Sequence, residues 1–149
     1  MKTVEELTSR FRAQGLRVTP QRQAIFRLLQ GNGAHPTVES LYDAARSEMP
    51  TMSRKTVYQT VHDLEAMGEV TLLDLGTGSV RVDPNVDDIH HHMICTRCGA
   101  VRDVFVDIGN VRVPADGGFA VDSVEVNFRG LCDECRARDA SKEPARPVS

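Results

Sequence analysis

All four cysteines of this 149-residue chain fall in two C-x-x-C units, Cys95-x-x-Cys98 and Cys132-x-x-Cys135. Each such turn aims two thiolates at one point, and two turns complete the tetrahedron of soft ligands that zinc prefers. The 33 residues between them exceed the roughly 15–20 of a zinc ribbon, so a hairpin or small sheet must bring the knuckles together. With every thiol used, no nucleophile and no open coordination position remain, which marks a structural site. A redox C-x-x-C pair and a four-thiolate iron centre compete for the same residues. Neither accounts for the three histidines just before the first knuckle, so structural Zn2+ on Cys95, Cys98, Cys132 and Cys135 is the expectation.

Those histidines are His90, His91 and His92. On a strand, alternation puts His90 and His92 on one face and His91 on the other. Asp103, five residues past Cys98, is placed to lie on a neighbouring strand; Asp83 ends an earlier β-rich run, and His35 stands at the start of a helical stretch. Taken singly, His35 reads as a capping or solvent histidine and the triplet as a solvated strand. Taken together, three imidazoles and two carboxylates make a mixed N/O set that suits Fe(II) or Mn(II) better than a structural zinc. A ligand set drawn from both halves of the chain would fix the angle between them when metal binds.

The first half has helical period. "VEELTSRF" puts Val4, Leu7 and Phe11 on one face and ends at Gly15. "TPQRQAIFRLL" has Thr19 as N-cap and Pro20 at the first helical position, "HPTVESLYDAARSEM" has Thr37 as N-cap, and "SRKTVYQTVHDLEAMG" has Ser53 as N-cap and Gly68 as stop. "EVTLLDLGTGSVRVD" then changes to two short β-rich runs around Gly76-Thr77-Gly78, a hairpin. Three helices and a hairpin in this order describe a winged helix-turn-helix, with the last helix in the major groove and the hairpin as wing. Ser53, Arg54, Lys55, Thr56, Tyr58 and Gln59 would meet phosphates and base edges. A protein-interaction module built from the same elements is the alternative.

Charge favours DNA. The chain carries a net charge of -3, yet no acidic residue lies between Glu6 and Glu39, a stretch that holds Arg10, Arg12, Arg17, Arg22 and Arg27. Such a run favours a polyanion, with Arg17 and Arg22 as phosphate contacts and binding that weakens steeply with salt. No segment approaches the ~18 apolar residues of a membrane span, and "MKTVEELTSR" lacks an apolar signal core. A cytoplasmic protein without membrane contact is expected.

"HHHMICTRCG" joined to "CDEC", behind "LRVTPQRQAI", "HPTVESLY" and "SRKTVYQTVHDLEAMGEV", resembles the ferric uptake regulator (Fur) family of bacterial metal-dependent repressors. The likeness spans roughly residues 7 to 137. It implies an α+β chain: a winged-helix DNA-binding domain over 1–82, a small α/β dimerisation domain with the four-cysteine zinc over 83–137, and a disordered tail over 138–149. It also implies a homodimer on a double-stranded DNA operator and no enzymatic activity. The sequence is most similar to the peroxide-responsive branch, whose regulatory Fe2+ or Mn2+ site is matched by His35, Asp83, His90, His92 and Asp103. In that branch peroxide, the one small molecule sensed, oxidises a ligand histidine, here His35 or His90, and releases the DNA. A plain iron-, manganese-, zinc- or nickel-responsive repressor is the alternative. A metallohydrolase or oxygenase on the His/Asp set would leave the basic helices unexplained.

Three features depart from the family pattern. Asp83 is one residue further from the histidines than is usual and is followed by Pro84. An additional family metal site is expected to be absent, because Ile89 and Ser123 stand where histidine would be needed. The helix between the C-terminal strands looks truncated to "DIGNVRVPADGG".

Overall fold

Thr19, Thr37 and Ser53 each accept a backbone N–H three residues ahead, from Arg22, Ser40 and Thr56, and so start helices where the sequence places them. The computed structural model describes residues 1–109, 111, 112, 114 and 117–141. They divide into two compact units, the first ending at Asp88 and the second starting at Ile89.

In the first unit, α1 (Val4–Ala13), α2 (Pro20–Leu29), α3 (Val38–Glu48) and α4 (Arg54–Ala66) precede β1 (Thr71–Leu73) and β2 (Arg81–Asp83). Thr3 and Glu6 close α1 with a reciprocal capping box. Along α4, Val57, Thr60, Val61 and Leu64 are buried at helical spacing, which leaves Lys55, Tyr58 and Gln59 outside. The core joins Leu7 and Phe11 of α1 to Ile25, Phe26 and Leu29 of α2, with Leu41, Val61, Leu64 and Val82. The Phe11 and Phe26 rings meet edge to face at 4.9 Å. β1 and β2 pair antiparallel, Thr71 opposite Asp83.

The first unit runs on past β2 to Asp88. Pro84 is buried and its carbonyl accepts the Met1 ammonium at 2.8 Å, while Asp87 takes the same ammonium at 3.1 Å. These contacts keep the residues after β2 with the first unit.

The first unit also answers the arginine run with distant acids. Arg10 pairs with the buried Glu69, which in addition accepts the Lys2 N–H at 3.0 Å. Arg10→Ala would strand that carboxylate, so a loss of about 1–3 kcal/mol is expected. Urea unfolding followed by helical circular dichroism should show a lower midpoint with unchanged slope; an unmoved midpoint would mean the pair contributes nothing.

In the second unit, β3 (His91–Cys95) is central, antiparallel to β4 (Val101–Val104) and parallel to β5 (Asn127–Gly130), and α5 (Asp133–Ala140) follows. His92 lies opposite Asp103 on one side and Asn127 on the other. The described residues between β4 and β5 include no α-helix, in keeping with the truncated segment. β5 is shorter than the alternating run 119–132 suggests, because β3 offers it a ladder over only four residues.

α5 was not legible as a helix, and it enters the segment expected to be a disordered tail. It continues through Ala140 because Arg97 reaches across to both the Cys135 carbonyl and the Asp139 carboxylate. Residues 142–149 of that tail lie outside the described residues. Among the described residues, no helix is long and apolar enough to cross a membrane.

Candidate metal centres and nucleic-acid interface

The β3–β4 turn carries Cys95 and Cys98, and the start of α5 carries Cys132 and Cys135. Parallel pairing of β3 with β5, Cys95 opposite Gly130, brings the two turns side by side. One Sγ from each cysteine lies within 4.8 Å of the others. Cys98 and Cys132 Sγ are 3.8 Å apart, which is the edge of a tetrahedron with Zn–S bonds of about 2.3 Å. Backbone N–H groups point at the sulfurs; that of Cys132 lies 3.4 Å from Cys95 Sγ. These donors, led by the Cys132 N–H, pull the Cys95 thiol down to about 6, whereas burial first and the neighbouring sulfurs second push Cys135 up to about 12. Cys95 is therefore ready as a thiolate, and a metal must displace the Cys135 proton. The donor set and spacing fit zinc.

His35 and Asp83 meet inside the first unit. Val82 N–H donates to the Pro36 carbonyl at 2.8 Å and Thr37 bridges Arg81, so the loop carrying His35 runs beside β2. His35 Nε2 stands 3.5 Å from Asp83 Oδ1, and both side chains are buried. His35 Nδ1 lies 3.0 Å from the Gly33 carbonyl, which can only accept, so Nδ1 donates there and Nε2 faces Asp83. Asp83 Oδ1 accepts the Asn85 N–H at 2.8 Å. His35 has φ of +49°, a left-handed backbone directly before a proline, where extended conformations are preferred. Arg81 donates to its carbonyl at 3.1 Å and helps hold it there. Backbone held in so sparsely populated a region often marks function.

His90, His92 and Asp103 meet inside the second unit. His90 Nε2 is 3.6 Å and His92 Nε2 4.0 Å from Asp103 Oδ1, and the two imidazole rings cross at 4.9 Å. Each offers a ligand atom within 4.8 Å of the others. Imidazole nitrogens converging on a carboxylate oxygen suit a divalent cation of intermediate hardness. His91 takes the other role that alternation assigns it: buried, with Nδ1 accepting the Val126 N–H at 3.3 Å. Sequence reasoning missed Glu125, whose Oε1 stands 3.3 Å from His92 Nδ1. Nothing in the local pattern marks it.

The residues expected at DNA divide. Arg17, Lys55, Tyr58 and Gln59 are exposed, though Gln59 also donates to Asp63 at 3.0 Å. Arg54 is exposed yet held, its Nε 3.1 Å from Glu39 and its guanidinium 4.4 Å above the Tyr42 ring. Ser53 and Thr56 are engaged in capping each other. Arg22 is drawn inward, 2.8 Å from Asp63 and with its guanidinium 5.3 Å from the Phe11 ring centre. Its charge is thereby spent within the unit. His62 is exposed and 3.6 Å from Glu65.

The model of the ferric uptake regulator family matches residues 13–129. The chain belongs to the ferric uptake regulator family. This Fur-family chain is 33% identical to the transcriptional regulator FurA of Mycobacterium bovis over 147 residues, covering 95% of this chain and 98% of the relative. It is 34% identical to the peroxide-responsive repressor PerR of Staphylococcus epidermidis over 136 residues, covering 89% and 90%. The solved structure of a zinc-bound manganese uptake regulator superposes with a TM-score of 0.71 at 30% identity, covering 88% of this chain and 99% of that one. Its family makes this Fur-family chain a metal-responsive transcriptional regulator, and Fur-family regulators bind DNA and form dimers.

Proposed function

We propose that this regulator is a cytoplasmic homodimeric repressor that binds a double-stranded DNA operator and senses peroxide through Fe2+. In this reading Cys95, Cys98, Cys132 and Cys135 hold structural Zn2+, and His35, Asp83, His90, His92 and Asp103 hold regulatory Fe2+ or Mn2+. The observation that carries it is the chemistry of the second donor set: buried imidazoles facing aspartates in both units, with no thiolate among them. The likeness to a peroxide-responsive repressor supports the same reading.

Each unit alone offers too few donors for a full coordination shell, two residues in one and three in the other. A metal taking both sets favours whichever arrangement of the units lets them converge, and it promotes DNA binding by as much as it prefers that arrangement. On the first unit, α4 would enter the major groove with Tyr58, Gln59, Arg54 and Lys55 leading, while Arg17 meets phosphate. The second unit exposes Phe105, Phe119, Phe128 and Leu131, apolar surface suited to a partner subunit.

Fe2+ held by His35, Asp83, His90, His92 and Asp103 would supply the electrons for cleaving the peroxide O–O bond. The net change falls on His35 or His90: an imidazole C–H becomes C–O, the ring loses two electrons, and the second peroxide oxygen leaves as water. The oxidised ring donates poorly, so the cation is released and the two units are freed.

Operator titrations with Mn2+ and with Fe2+, each before and after peroxide, test this. Both metals should support binding, and only the iron form should lose it, gaining one oxygen mass on a peptide with His35 or His90. An iron form that keeps its DNA through peroxide would establish a plain metal-responsive repressor instead. The likeness to the transcriptional regulator FurA is as close as that to the peroxide-responsive repressor. Loss of DNA without the mass gain would sink histidine oxidation.

A further inference from the structure

We infer that Glu125 is a positioning residue for the regulatory metal, acting through His92; this rests on the proposed His/Asp site. A histidine ligates through one nitrogen only if the other carries the proton, and a carboxylate at that second nitrogen fixes the tautomer, orients the ring and raises its basicity. His92 Nε2 faces Asp103, so Nδ1 lies on the opposite edge of the ring, and Glu125 Oε1 stands there at 3.3 Å. Glu125 is not among the residues that converge as ligands, so its effect passes through the imidazole.

The register explains the placement. His92 is opposite Asn127, the first residue of β5, and Glu125 lies two residues before it in the chain. His92 itself is buried, whereas Glu125 is half exposed and keeps its charge hydrated. The contrast with His35 is specific: its Nδ1 faces a neutral carbonyl, that of Gly33. His92 is thereby made the stronger donor of the two.

The test uses the full-length, zinc-loaded protein titrated with Mn2+, and with Co2+ as a visible-absorption probe. Glu125→Ala should weaken Mn2+ binding by about 10- to 100-fold and change the Co2+ ligand-field spectrum. Glu125→Gln, which keeps an oxygen beside Nδ1 but loses the charge, should fall between Ala and wild type. Asp122→Asn, an exposed charge on the same segment, should do neither, and zinc content should stay constant throughout. Glu125→Ala within twofold of wild type, or an equal loss in Asp122→Asn, overturns the assignment alone. Wild-type protein that takes up no Mn2+ beyond its zinc overturns the proposed site along with it.

Discussion

Cys135→Ser is expected to strip zinc from the protein and unfold the second unit while the first stays intact. The reason is how little else holds that unit. Among its described residues the buried apolar ones are Ile94 and Val101, besides Cys95 and Cys135 themselves, whereas Ile89, Phe105 and Phe119 lie open to solvent. Two aliphatic side chains contribute roughly 1.5–3 kcal/mol each, against an ordering cost near 1.5 kcal/mol for every residue fixed. Metal at four thiolates contributes on the order of 10–16 kcal/mol in zinc-finger peptides, enough to reverse that balance. Serine keeps the shape and loses the soft thiolate. Zinc content should drop to background, and limited proteolysis should cut beyond residue 89 while leaving the helices of the first unit protected. A variant without zinc that resists cleavage as well as wild type would show that the unit stands on its own packing or on its dimer contacts.

Asp103→Ala should abolish metal-dependent DNA binding without loss of zinc. The Asp103 carboxylate faces both His90 and His92, at 3.6 and 4.0 Å, and it is four-fifths buried. Removing it deletes a charged ligand that His90 and His92 share. A loss of at least ~100-fold in Mn2+ affinity is expected, about 2.7 kcal/mol. Asn keeps the volume and one acceptor oxygen, so Asp103→Asn should lie between. Mn2+ titration paired with operator binding checks this. If the alanine variant bound Mn2+ within twofold of wild type, the His/Asp set would have another purpose.

What was legible in the sequence follows the range of the interactions involved. The caps at Thr19, Thr37 and Ser53 are settled by a side chain and a backbone N–H three residues apart, so the residue types alone announce them. The cysteine cluster was legible because two C-x-x-C turns have few other uses in such a chain. Arg10 and Arg22 look unopposed along the sequence, yet the fold sets Glu69 and Asp63 against them from 59 and 41 residues away. Glu125 escaped for the same reason: its meaning comes from the parallel pairing of β3 with β5, a contact that no local pattern encodes. α5 lacks an apolar stripe and is held by Arg97 from outside.

Asp83 ends the strand that pairs, residue for residue, with the one starting at Thr71, just after α4. If it is a metal ligand, sensing and DNA contact share one hairpin of three residue pairs. Mutations that retune metal preference then alter the wing, and mutations that adjust the wing alter the sensor. Within this lineage the choice of signal and the choice of target gene would not drift independently. Paralogues that part ways in one should carry matching changes in the other, written into the same dozen residues.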